Sequence, residues 1–434
     1  MEKKAKALLI PLASEVVPEE LTLELLKEIA RKSKTANAVA FEIIPEIINE
    51  RNLEREISLI NSLVKDFNCI ILMHLTGGTS KLALEILVNL TQTKPFAIWA
   101  HGSFNSLASA FNTKLKVQSL LNVSIPLPII YEDIKALEEF ALLAEAVDHV
   151  YQSHKILLIG PTTGIRVPKG YHVTQSLRLR NLLKPAKEEE VMEVFERIKK
   201  WLPSEEISNN EEIIKALTIY INIKKILASL SEKKKGTKLA TIECYNLMKY
   251  FNVAPCLAVS LLLDDGYIIT CQRDIPSLFG FLLLKKITGQ SIWLADISKI
   301  LWEDRVVVFS HSCADPKLAV SDDKIVIKKH PLKGVYATLY VPLKVGIDVT
   351  IVQVDILKNE LIWFEGKIVG PDKPYENIET TQASVKLSER DFINLMNKNV
   401  GSHFLLVYGR WGKTIDKVNE LLKQVNILRE LKGR

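Results

Sequence analysis

Two carboxylates stand where open α/β sheets build their sites. Glu243 closes the short apolar run 239–242, and Asp274 follows the run 267–270. Both belong to one stretch that reads T-I-E-C, then P-C at Pro255 and Cys256, D-D-G at 264–266 and C-Q-R-D at 271–274. Far downstream, His403 sits in G-S-H-F-L-L-V-Y-G. Two carboxylates and an imidazole are a donor set that a hard divalent cation accepts, so these three residues are candidate metal ligands. Each carboxylate also has a plainer role open to it. Asp274 precedes a helix with Pro276 in its first turn and makes a good N-cap, and Glu243 can equally pair with a surface lysine.

Three further strand ends carry polar side chains. The loop His74-Leu75-Thr76-Gly77-Gly78-Thr79 joins a strand to a helix. There His74, Thr76 and the loop amides either meet an anion or hydroxyls, or the glycines simply make the turn. Asn105, after the next strand, is either a polar contact for a ligand or a cap for the following helix. His311, in S-H-S-C-A-D-P, is a metal ligand, a substrate donor or a buried structural histidine. The early strands are followed by neither the phosphate loop nor the dinucleotide fingerprint, so no nucleotide or flavin cofactor is expected.

The elements that must position these residues change character along the chain. Its 434 residues exceed a single core and imply two to three domains. In the first third, short apolar runs at 7–13, 38–42, 69–75, 96–100 and 125–130 alternate with helical stretches, which predicts a parallel, doubly wound α/β sheet. Amphipathic helices at 186–201 and 210–230 are expected to cover a second sheet with strands at 239–242, 257–263, 267–270 and 292–295. From residue 324, period-2 runs between Gly, Pro and Asn turns predict an antiparallel sheet or barrel, and helices at 414–425 and 427–431 close the chain. The expected boundaries are 1–165, 166–318 and 319–434, with His403 in the last region.

Composition excludes several classes. With 57 basic against 51 acidic residues, the net charge of +6 is mild, and no basic stripe interleaved with aromatics argues for nucleic acid. The basic run at 233–235 is short and suits a solvated loop. No apolar run approaches the roughly 20 residues of a membrane span, and residues 7–12 after the charged start suit a buried strand rather than a signal segment. A cytoplasmic location is therefore expected. The 5 cysteines are too scattered for a disulfide framework and contain no C-x-x-C pair, which argues against structural zinc. Abundant Ile, Lys and Glu beside 8 histidines suit a thermophile.

Taken in order, several motifs give the chain a resemblance to the L-fucose/L-arabinose isomerase superfamily, in particular its short fucose-isomerase-like members from archaea and bacteria. They are L-T-G-G-T at 75–79, N-S-L-A-S-A at 105–110, T-I-E-C at 241–244, P-C at 255–256 and C-x-x-D-I at 271–275. The series continues with I-T-G at 287–289, H-x-C-x-x-P at 311–316 and G-x-H…Y-G at 401–409. The resemblance implies two Rossmann-like domains followed by a smaller, β-rich, barrel-like C-terminal domain. It implies interconversion of aldoses and ketoses of a small carbohydrate with Mn2+ or another divalent cation, held here by Glu243, Asp274 and His403. It also implies a homo-oligomer whose sites lie near subunit interfaces, which would bring His74, Thr76 and Asn105 to a neighbour's substrate.

In that chemistry, Glu243 and Asp274 are the candidate catalytic carboxylates. A bound cation chelates adjacent carbonyl and hydroxyl oxygens, and a carboxylate moves the proton between the two carbons through an enediolate. The chain departs from the pattern at Gln272 and Arg273, where many relatives read C-E-x-D, and at Arg410, where relatives often carry an acid. Arg273 either repels a cation or grips an anionic substrate group such as a carboxylate, phosphate or sulfonate. The departures leave two readings open: an isomerase of a sugar or sugar acid, or a catalytically inactive sugar-binding or regulatory homologue.

Overall fold

The computed structural model describes residues 5–432 apart from 153, 162–164, 166, 168–170, 204–209, 233–238 and 372. The basic run at 233–235, the first four residues and most of the turn at 161–164 lie outside the described residues. The chain forms two compact units, one from residues 1–149 and 416–434, the other from 150–415.

The first unit alternates β1 (Ala5–Leu12), α1 (Glu19–Ser33), β2 (Val39–Ile43), α2 (Leu53–Leu63), β3 (Cys69–His74), α3 (Ser80–Asn89), β4 (Phe96–Ala100), α4 (Ser106–Leu121), β5 (Ile129–Tyr131) and α5 (Ile134–Tyr151). The strands form a 5-stranded sheet in the order β2-β1-β3-β4-β5, with every pair parallel. Every residue of β3 and β4 is buried, as expected of parallel strands covered on both faces.

The second unit begins with β6 (His154–Ile159), β7 (Tyr171–Leu177), α6 (Glu188–Ile198), α7 (Glu211–Glu232), β8 (Leu239–Ile242), α8 (Cys244–Phe251), α9 (Cys256–Asp264), β9 (Ile268–Cys271) and α10 (Ile275–Thr288). It continues with β10 (Trp293–Leu301), β11 (Val306–His311), β12 (Val326–Lys329), β13 (Tyr336–Tyr340), β14 (Asp348–Asp355), β15 (Glu360–Gly370), β16 (Thr381–Leu387), α11 (Glu389–Asn397) and β17 (His403–Tyr408). The last helix is α12 (Gly412–Lys432). Strands β7-β6-β8-β9 form a 4-stranded parallel sheet, while β10-β11-β16-β15-β14-β17 close into an antiparallel barrel.

Two expectations are corrected. Residues 257–263 form the fully buried helix α9 rather than a strand, because an uninterrupted apolar run carries no period to separate the two states. The closing helices are one continuous α12. In addition, β10 and β11 enter the barrel rather than the parallel sheet. Their partners β17 and β16 lie roughly 110 and 75 residues downstream, beyond the reach of a local pattern.

Helix α10 packs against the barrel at Gly280, where a Cβ would come within 2.5 Å of Val354 and 2.8 Å of Leu405. Only glycine permits that approach, and it brings the N-terminal turn of α10 toward the start of β17. Inside the barrel, Phe309 and Phe404 meet edge to face with ring centroids 5.7 Å apart.

Candidate active site

The parallel sheet of the second unit sets three strand ends side by side. Ile159 of β6 pairs with Ile242 of β8, which pairs with Cys271 of β9, so Gly160, Glu243 and Gln272 emerge together at the carboxyl edge. Gly160 has φ +133°, and a Cβ there would lie 2.6 Å from that of Glu243. Gln272 and Arg273 both adopt left-handed backbone, with φ of 57° and 59°. Consecutive non-glycine residues in that region are strained and need support from their surroundings. The support comes from Thr270, whose hydroxyl donates to the Asp274 carbonyl at 2.7 Å and lies 2.9 Å from the hydroxyl of Thr241.

Asp274 caps α10, accepting from the Ser277 amide at 2.9 Å and from the Ser277 hydroxyl. Its Oδ2 also meets His403 Nδ1 at 2.7 Å. The cap foreseen for Asp274 and its link to His403 therefore coexist in one carboxylate. The other imidazole nitrogen, Nε2, is buried without a hydrogen-bond partner among the described residues, and it faces Asp296 Oδ1 at 3.5 Å. That meeting follows from barrel register, because Asp296 of β10 lies directly opposite His403 of β17.

The charges reinforce one another. Burial disfavours an imidazolium at His403, but the bond to Asp274 and the carboxylates of Asp274 and Asp296 outweigh it and raise the pKa. Burial likewise opposes ionisation of Asp274, yet the hydrogen bonds from His403 and Ser277 hold its pKa below the usual value. His311 comes near, its ring centroid 6.5 Å from that of His403 and its Nδ1 accepting from the Cys313 amide at 3.1 Å.

Glu243 is engaged differently. Its Oε2 lies 2.7 Å from Arg273 Nε, and the Arg273 guanidinium also donates to the Pro161 carbonyl at 3.2 Å. A cavity of about 990 Å³ opens beside these groups, lined by Gln272, Arg273, Asp274, His403, Lys358 and Lys398 among others.

The structure thus brings Asp274 and His403 together, but bonded to each other rather than turned to a common point, while the carboxylate of Glu243 goes to Arg273. Among the described residues no group of three His, Cys, Asp or Glu side chains is arranged to hold a metal ion. Two donors nevertheless fit one. Ligands bound at about 2.1 Å on adjacent positions of a cation stand roughly 3 Å apart, close to the His403–Asp296 separation. Asp274 then holds the imidazole in the tautomer that presents Nε2, as carboxylates behind metal-bound histidines do. Asp296 is the residue that the sequence reading missed. The signal was present, since it directly follows the apolar run 292–295, as Glu243 follows 239–242.

The residues foreseen in the first unit have other surroundings. His74 is fully buried, with Nδ1 2.5 Å from the Thr79 hydroxyl and Nε2 3.2 Å from that of Thr113. Thr76 is also buried, its hydroxyl accepting from the Ser14 amide at 2.7 Å. Asn105 is exposed, in left-handed backbone at the start of α4, and its side chain does not cap that helix. Arg410 forms an exposed pair with Asp348 at 2.9 Å. No helix among the described residues is long and apolar enough to cross a membrane.

Comparison with known proteins adds one direction. The chain is 26% identical over 167 residues to the sulfoquinovose isomerase of Priestia aryabhattai, and equally to that of Priestia megaterium (strain ATCC 12872 / QMB1551). The matched stretch spans 37% of this chain and 37% of each relative. No family model matches the chain.

Proposed function

We propose that this protein is an aldose–ketose isomerase for a sugar bearing an anionic group, working with a divalent cation such as manganese. The observation that carries the reading is the His403 Nε2 atom, buried without a hydrogen-bond partner among the described residues, held from behind by Asp274 and set 3.5 Å from Asp296, with Asp274 and His403 both in the cavity lining. The similarity to sulfoquinovose isomerases supports the same chemistry.

When bound, the cation would polarise the substrate carbonyl and its neighbouring hydroxyl and stabilise the negative charge that develops between them. Asp274 fixes the imidazole plane and tautomer. Asp296 has no capping duty and serves as the proton acceptor at the carbon beside the carbonyl, returning the proton to the adjacent carbon while the proton of the neighbouring hydroxyl passes to the former carbonyl oxygen. Arg273 and Lys398 are cations in the cavity lining that suit a sulfonate, the group that distinguishes sulfoquinovose from a neutral hexose. Lys358 is paired with Asp355 and Glu360 of the same lining. Assembly of several copies belongs to the same proposal, with the exposed Asn105, and not the buried His74 and Thr76, as the first-unit residue free to reach a neighbour's cavity.

A second reading, a sugar-binding homologue without turnover, is favoured by one observation. Arg273 occupies Glu243, and Gln272 stands where an acid would offer a third donor. Incubation with sulfoquinovose, glucose and fucose, with manganese or after chelation, decides between the two. The isomerase reading predicts ketose formed from the sulfonated sugar, lost on chelation and restored by manganese. Saturable sugar binding with no ketose under any of these conditions would establish the silent homologue.

A further inference from the structure

We propose that Cys271 and Cys313 form a reversible thiol–disulfide pair, a modification site that links two of the segments around the candidate active site. The sequence scatters the cysteines, but the fold gathers four of them from separate elements. Cys244 opens α8, Cys256 opens α9, Cys271 ends β9 and Cys313 lies two residues beyond β11, all buried and all free thiols. The Cys271 and Cys313 sulfurs are 3.3 Å apart. A disulfide needs about 2.05 Å, so they must close by roughly 1.2 Å.

The two sulfurs also have company. Cys244 interacts electrostatically with Cys271, and Cys256 with Cys313 and His330. Apolar packing alone is satisfied by alanine or valine. Thiols aligned sulfur to sulfur are a redox-competent arrangement.

The oxidant is a hydroperoxide. Hydrogen peroxide transfers one oxygen to the Cys271 sulfur, giving a sulfenic acid and one water. The Cys313 sulfur then attacks that sulfur, the S–O bond breaks and a second water leaves. Two thiols and one peroxide thus yield one disulfide and two waters. A dithiol reductant returns two hydrogens and becomes a cyclic disulfide itself. The new bond would join the residue before Gln272 to the residue whose amide holds His311.

The test uses the unmodified chain and one variant. The folded protein is treated with hydrogen peroxide, quenched, alkylated with N-ethylmaleimide in denaturant and digested without reductant for mass spectrometry. The expected result is a loss of two alkylated thiols from the 5 present, with a Cys271–Cys313 cross-linked peptide that dithiothreitol dissolves. Cys313→Ser, treated the same way, gives no cross-link at Cys271 and stops at the sulfenic acid, which dimedone labels. Retention of all thiols in the unmodified chain, a different pairing, or irreversible oxidation at either cysteine would overturn the proposal.

Discussion

His74, fully buried, and His403, partly buried, both stand at strand ends, one in each unit, and they are opposite electrostatic objects. His74 has only hydroxyls for partners, from Thr79 and Thr113, and burial pushes its pKa down to about 3. His403 has carboxylates on both sides, and its pKa moves up. Burial alone therefore does not mark a functional imidazole. Partner chemistry decides: hydroxyls keep a neutral ring in place, whereas carboxylates build a charged cluster that can bind a cation or move a proton.

The contrast is broken most severely at His403. His403→Gln and Asp296→Asn are each expected to lower ketose formation by at least about 100-fold, the range of a lost acid–base or metal-binding group, with little change in melting temperature. Steady-state kinetics beside thermal unfolding checks both halves. Asp274→Asn comes next. Asparagine caps a helix as well as aspartate, so stability hardly moves, but the imidazole loses its charged support and kcat is expected to fall about 10- to 100-fold.

The opposite manipulation sharpens the His74 side. Its folded pKa of about 3 lies below the ordinary 6.5, so the unfolded chain binds the extra proton between those values. The stability it supports is complete above pH 6.5 and drains away as pH falls toward about 3, with an upper bound of about 5 kcal/mol at roughly 1.4 kcal/mol per pH unit. His74→Gln should flatten that slope in urea unfolding measured from pH 7 to pH 4, and an unchanged slope would remove His74 as its source. The smallest effect is expected at Arg410. Its pair with Asp348 is exposed, so Arg410→Gln should leave rate and melting temperature within error of the parent.

How much of this was legible in the residues follows the range of each interaction. The parallel sheet of the first unit could be read, because each βα step announces itself within about thirty residues. The antiparallel character after residue 324 was legible for the same reason. Asp274 and His403 stood out through neighbouring residues, and the structure joins them at 2.7 Å. Asp296 carried the local signal of following an apolar run, but its pairing with His403 lies in a register with β17, more than a hundred residues away. The four clustered cysteines were invisible in the same way. Helix α9 was misread for a local reason, since eight successive buried residues leave no polar face to set a period.

The cluster around His403 is tested most directly by proton exchange at the sugar carbon beside the carbonyl. The protein, with manganese and sulfoquinovose in deuterated water, should place deuterium at that carbon, and Asp296→Asn should abolish the signal while sugar binding persists. Tight binding with neither deuterium incorporated nor ketose formed by the parent protein would contradict proton transfer at this site.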